Sequence, residues 1–232
     1  RMLLDFAAEA RMVVARSDPK LKEVTDQLAR IAADSAEGSL SEEVKRDRRK
    51  VLIFTYFADT VEWIYDFLHT AVEGDGRLAD YRGRINIATG QSGETKSHSV
   101  WGFAPKTSDA PPSHDDDKYD ILVTTDVLAE GVNLQQAQHI INYALPWNPM
   151  RLVQRHGRID RIGSPHADVF LHCVFPDRQL ETLLGLEERL QRKIRQAAIS
   201  IGVSEGVLPG ADLSDDIVFS ETREEMERVR DQ

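Results

Sequence analysis

The segment KVLIFTYFADTVEWIYDFLHTAV, Lys50 to Val72, opens on an apolar run without alternation and closes on apolar residues at helical spacing. The opening run suits a strand of a parallel sheet, where protein covers both faces and the period-two pattern is lost. Val61, Ile64, Leu68 and Val72 then share one face of a helix. Asp59, with Glu62 three residues on, reads as the N-cap of that helix in something close to a capping box. A buried strand leading straight into an amphipathic helix is the first part of a βαβ unit.

Working outward, RINIAT, YDILVTT, QHIINYA and DVFLHCVF read as four further strands, with helical or turn segments between most of them. The alternation predicts an α/β fold: a mostly parallel sheet flanked by helices in three layers, with helical extensions at both ends. Residues 1–48 read as a helical lead-in, in which Leu21, Val24, Leu28 and Ile31 share a face. Residues 49–176 form the α/β domain. Within it, 105–118 is rich in Pro, Ser and Asp and reads as a flexible surface insertion. His114 and the adjacent Asp115, Asp116 and Asp117 make a poor metal site, because consecutive residues cannot all converge on one ion. Residues 177–232 read as an amphipathic helix, with Leu183, Leu186, Leu190, Ile194 and Ala197 inward, and an acidic tail.

The chain has 232 residues, 41% hydrophobic and 29% charged, enough to bury a sizeable core. No run approaches the roughly 18 apolar residues a membrane span needs. The opening RMLLDFAAEARMVV lacks the long apolar stretch of a secretory signal. The single cysteine, Cys173, reads as buried packing, and the chain as cytoplasmic. A net charge of −10 argues against a nucleic-acid partner as a single number, but the charge is uneven. Val203 to Gln232 carries nine acids and three bases, or −6; Met150 to Gly163 carries four arginines against Asp160, or +3. A basic surface can exist on an acidic protein.

That basic stretch lies in NPMRLVQRHGRIDRIG. Asn148 suits an N-cap and Pro149 the first helical position. On a helix starting there, Arg151, Gln154, Arg158 and Arg161 fall on one face, with guanidinium forks matched to phosphate oxygens. By geometry alone, a solvated basic face with carboxylate partners fits equally well.

The spacing Q-x-x-G-R-x-x-R resembles motif VI of superfamily 2 helicases and translocases, and QRHGRIDRIG is especially similar to the Swi/Snf-type branch. That resemblance implies that Arg158 and Arg161 are arginine fingers reaching the γ-phosphate of ATP, with Gln154 as an accessory group. The branch often continues with Gln after RIG, where this chain has Ser164. Three further stretches match in the family's order. ILVTTDVLAEGVNLQQAQHIINYALPWNP resembles motif V and its sequel, KVLIFTYFADTVEWI resembles motif IV, and INIATGQSG resembles a phosphate-contacting turn between them. The resemblance spans about residues 20 to 176. It implies a RecA-like fold, nucleotide contacts at Glu130, Gly131 and Asn133, and backbone contacts to nucleic acid at Thr55, Thr89, Gly90, Thr124 and Thr125. These residue types fit the chemistry. A glycine lets backbone approach a ligand closely, and hydroxyls at the carboxyl ends of parallel strands line the crevice where such sheets bind ligands. Each threonine is equally compatible with ordinary strand or cap chemistry, and Asn133 with holding its own loop.

The chain contains no G-x-x-x-x-G-K-[ST] phosphate cradle and no D-E-x-H-type sequence to hold magnesium. It therefore reads as the second RecA-like half of a two-domain motor. Its partners are then the N-terminal RecA-like half of the same parent, which would hold ATP and Mg, and double-stranded DNA. The alternatives are an RNA-acting superfamily 2 helicase and a non-catalytic RecA-like binding module. The fragment alone is expected to be inactive.

Overall fold

A computed structural model describes residues 18–90, 93–128, 131–146, 149–161, 163–175 and Arg192. The chain divides into two compact units, Arg1–Leu145 with Gln154–Val174, and Pro146–Val153 with Phe175–Gln232. In the second unit, residues 149–153 are helical and so is Arg192. The amphipathic helix and acidic tail expected over 177–232 lie outside the described residues, Arg192 excepted.

The first unit holds the five strands at the positions read from the apolar runs. They are β1 (Val51–Phe54), β2 (Ile85–Ala88), β3 (Ile121–Thr124), β4 (His139–Asn142) and β5 (Phe170–Cys173). All four pairings are parallel, in the order β2-β3-β1-β4-β5. Successive residues of β1 explain the missing alternation. Val51 and Ile53 join one apolar cluster with helices α1 (Pro19–Ala36) and α3 (Ala58–Gly74). Leu52 and Phe54 join the opposite cluster, with Val100 and Phe103 of α4 (Gly93–Phe103). Both faces are covered, so both parities are apolar. This is the α/β, RecA-like arrangement of a parallel sheet between helices.

Local chemistry sets the helix limits. In α1, Asp18 caps the backbone N–H groups of Lys20 and Leu21, and Pro19 occupies the first turn. Short α2 (Glu42–Arg49) starts at Ser41, whose hydroxyl accepts from Val44 N. The expectation for α3 needs correction: its N-cap is Phe57, which makes no side-chain capping bond, and not Asp59. Thr60 N and Val61 N already donate to the Phe57 carbonyl, so the helix begins two residues earlier. Asp59 instead sits in the first turn, where its carboxylate complements the helix dipole. The expected inward residues Val61, Ile64, Leu68 and Val72 are all buried.

The segment read as a flexible insertion is tied down at both ends. Lys106 N donates to Gln136 Oε1 (3.1 Å), and the backbone N–H groups of Lys118 and Tyr119 donate to the Gly102 carbonyl. The Tyr119 ring lies so close that a Cβ on Gly102 would fall 2.7 Å from it. Asp117 joins a charged network at the amino ends of the strands. Lys50 Nζ, buried, donates to Asp117 Oδ1 and to the Tyr119 carbonyl, both at 2.7 Å. Asp120 receives Arg49 Nε at 2.8 Å and Arg84 at 2.8 and 2.9 Å. Burial pulls the Lys50 ammonium below the usual lysine range, against the pull of Asp117 and Asp120. Burial also opposes ionisation of Asp120, yet Arg84, Lys50 and Arg49 hold its carboxyl below the usual range. Asp117 therefore fastens the end of the insertion to the sheet.

Candidate functional site

The carboxyl ends of β1, β2 and β3 bring Thr55, Thr89, Gly90, Thr124 and Thr125 to one edge of the sheet, beside the point where the strand order reverses around β1. Their side chains differ in availability. Thr55 is buried and its N–H donates to the Thr124 carbonyl. Thr124 is fully buried, and its hydroxyl donates to the Ala88 carbonyl at 2.6 Å, lacing β3 to β2. Thr125 Oγ1 accepts from Val127 N at 3.4 Å, starting the one-turn 3₁₀ helix Asp126–Leu128. As found, the hydroxyls of Thr124 and Thr125 are engaged in local bonds, Thr89 is half-buried and Gly90 is exposed.

The arginine segment begins as expected, with Pro149 opening α5 (Pro149–His156); Asn148 lies outside the described residues. The helix stops at His156, before Gly157, so the single helical face drawn through Arg158 and Arg161 does not hold. The chain instead continues as a turn, in which Arg158 N donates to Arg155 O, and Ile159 N and Asp160 N both donate to His156 O. A second set of bonds zips this turn to the loop after β3. Arg158 donates from Nη1 to the Val132 carbonyl (3.3 Å) and from Nε to the Gln154 carbonyl (3.2 Å). Leu134 N donates to the Arg158 carbonyl, and Gln135 Nε2 to the Arg161 carbonyl (3.0 Å). Gly131 has φ +77°, a left-handed conformation that glycine adopts without a steric cost. Asn133 accepts from Gln135 N and donates to Gln135 Oε1, so its amide holds the loop. Glu130 lies outside the described residues. Asn133, Arg158 and the Arg161 backbone thus belong to one hydrogen-bonded patch that Gly131 precedes, and Gln154 is exposed beside it.

Arg155 lies beside these residues but is a buried structural tie. It has no exposed surface. Its Nε donates to Asp126 Oδ1 (2.6 Å), and Nη1 to Asn142 Oδ1 (3.0 Å) and to the Ala144 carbonyl (3.1 Å). Its guanidinium carbon sits 5.0 Å from the centroid of the Phe54 ring. It therefore ties the helix carrying Gln154 to the ends of β1, β3 and β4. The signal was present in the sequence: Leu152, Arg155, His156 and Ile159 follow i, i+3, i+4, i+7 spacing, and all four are buried. Burial, with Arg155 alongside, drops the His156 imidazole to about 4, so it is neutral near pH 7.

The other cations here differ from Arg155. Arg158 is half-buried and bonds only to carbonyls, and Arg161 is exposed; among the described residues neither has a carboxylate partner. A third cation, Lys96 of α4, donates from Nζ to the Val127 carbonyl at 2.8 Å.

Residues 35–163 match the helicase conserved C-terminal domain family, more than half of the chain. The uncharacterized ATP-dependent helicase YqhH of Bacillus subtilis (strain 168) is 53% identical over 55 residues. Those residues are 24% of this chain and 10% of that relative, so the chain matches only a small part of its length. The crystal structure of the C-terminal part of the Fun30 ATPase domain is similar at a TM-score of 0.49 and 18% identity, over 73% of this chain and 45% of that one. S. cerevisiae Dbp5 bound to RNA and ADP BeF3 is similar at 0.44 and 19%, over 71% and 35%. At such scores these two likenesses carry no further weight.

Proposed function

Because the chain belongs to the helicase conserved C-terminal domain family, we propose that it is the second motor half of an ATP-dependent translocase of the Swi/Snf type, working on double-stranded DNA in the cytoplasm. The observation that carries the reading is the pair Arg158 and Arg161. Both are held by carbonyls at the loop after β3 or left exposed, and neither is neutralised by a carboxylate among the described residues. Guanidinium groups in that condition fit an anionic partner, and phosphate is the one their forks match.

ATP is the substrate. It binds in the cleft between this half and the N-terminal RecA-like half of the same parent, which holds the magnesium. Arg158 and Arg161 place positive charge where negative charge develops on the transferring phosphoryl group. A finger of this kind contributes about 10³- to 10⁵-fold in rate in related phosphoryl transfers. Gln154 lies one turn before Arg158 and assists in orienting the phosphate or the attacking water. Gly131 and Asn133 shape the loop that fixes Arg158. At the sheet edge, Thr55, Thr89, Gly90, Thr124 and Thr125 form a rim for the DNA backbone, with Thr89 and Gly90 outermost. Such contacts track phosphates and carry no sequence information. Arg155 joins Asp126, just past that rim, to the helix that leads into Arg158, so the two regions are mechanically continuous.

The test is ATP hydrolysis by the intact parent with duplex DNA, single-stranded DNA, RNA or nothing added. Stimulation by duplex DNA supports the reading. Stimulation by RNA alone moves the chain to an RNA-acting superfamily 2 helicase. No hydrolysis by a folded parent under any condition leaves a RecA-like binding module.

A further inference from the structure

Tracking along DNA has an unmet requirement at the rim. The five residues assigned to the backbone contacts carry no charge, and two of them, Thr55 and Thr124, are buried. Yet nucleic-acid affinity rests chiefly on cations that neutralise phosphates. Among the described residues, a cation placed to meet that need is Lys96. It lies in the first turn of α4, the helix that follows the Thr89–Gly90 turn. Its ammonium is fixed by the Val127 carbonyl at 2.8 Å. Val127 is three residues beyond Thr124, and its side chain lies 3.8 Å from where a Cβ on Gly90 would be. The charge is therefore held beside the ends of β2 and β3. An ammonium has three donors, and only one has a partner here. Among the described residues no carboxylate pairs with Lys96, and the side chain is only half-buried.

We propose that Lys96 is a phosphate-binding residue of the DNA track, supplying the charge that the threonine and glycine rim lacks. This rests on the nucleic-acid reading above. A purely structural lysine would cap the 3₁₀ turn and nothing more. The two roles separate by experiment, since capping needs a donor whereas phosphate neutralisation needs a charge that competes with salt.

The experiment measures binding of the intact parent to a defined DNA duplex across a range of salt concentrations, for wild type, Lys96→Met and Lys96→Arg. Each neutralised phosphate contributes about 0.9 to the slope of log affinity against log salt on B-form DNA. Lys96→Met should therefore flatten the slope by about 0.9 and weaken binding on the order of tenfold near 0.1 M salt. Lys96→Arg should keep the wild-type slope. A wild-type slope in Lys96→Met overturns the proposal, and a lowered melting midpoint alongside would assign the lysine to capping alone. A flattened slope on RNA but not on DNA also overturns it. Wild type that hydrolyses ATP yet binds no duplex removes the DNA reading itself, an outcome visible before any variant is compared.

Discussion

The amino ends of the strands and the cations of the α4 and α5 region handle charge in opposite ways. At the amino ends, Lys50, Arg49 and Arg84 meet Asp117 and Asp120, and Gln136 Nε2 bridges Asp47 and Asp117 at 2.8 and 3.1 Å. Lys50 and Asp120 have no exposed surface, so these charges persist only because every one is matched. Among the described residues, Lys96, Arg158 and Arg161 remain partly or fully exposed and reach, at most, for carbonyl oxygens. The first group is complete within the fold. For the second, no carboxylate among the described residues supplies a counter-charge. Arg155 shows that position in sequence does not decide membership: it lies three residues before Arg158, yet it is fully buried and paired to Asp126.

If that contrast holds, breaking it at the amino ends should cost folding. Asp120→Asn leaves Arg49 without its carboxylate and Arg84 with only Asp117, and removing one partner of a buried ion pair costs about 3–5 kcal/mol. Denaturant unfolding reads this as a lower midpoint with an unchanged slope. Arg155→Met should behave like the amino-end group, losing about 3 kcal/mol in the same measurement. A loss near zero would place Arg155 with the free cations and erase the distinction.

Acid sharpens the comparison. His139 at the start of β4 donates to or accepts from His172 across 3.3 Å, in a cavity that Asp34 and Arg48 also line. Burial first, and then His172 opposing a second charge, lower His139 to about 3, against a backbone hydrogen bond at Arg48 that favours the charged form. A depressed folded pKa means stability is complete above the unfolded value near 6.5 and is lost as pH falls from there toward about 3. The loss should reach about 2 kcal/mol by about pH 5, and His139→Gln should flatten it. Asp120, also held low, adds its own loss only below the ordinary carboxylate range. Acid should therefore act on the buried end of the sheet in two stages, followed by circular dichroism. The smallest effect expected is at Gly102. Gly102→Ala places a methyl 2.7 Å from the Tyr119 ring and should cost about 1–2 kcal/mol by overpacking, despite alanine's better helix propensity.

Most of the fold was legible because strand and helix periodicities are local. The unalternating run at Val51–Phe54 and the stripe at Val61, Ile64, Leu68 and Val72 each announced what they bury. Less legible were features set by partners distant in sequence. Asp117 looked like one of three loop aspartates until Lys50, 67 residues away, was seen to hold it. Arg155 looked like one more basic residue, although its spacing with Leu152 and Ile159 put it on the apolar stripe. Gly157 marked the end of α5, and the helical face drawn through Arg161 passed over that signal. Motif spacing singled out Arg158 and Arg161, but that no carboxylate among the described residues pairs with them was visible only in three dimensions.

The most direct test compares wild type and Arg158→Gln in the intact parent, measuring ATP hydrolysis per folded molecule with saturating duplex DNA. The account predicts a rate about 10³-fold lower or more with the thermal midpoint unchanged, since Arg158 bonds only to carbonyls within its own fold. A near wild-type rate, or a loss that tracks a falling midpoint, would mean that Arg158 serves the fold as Arg155 does, and would contradict it.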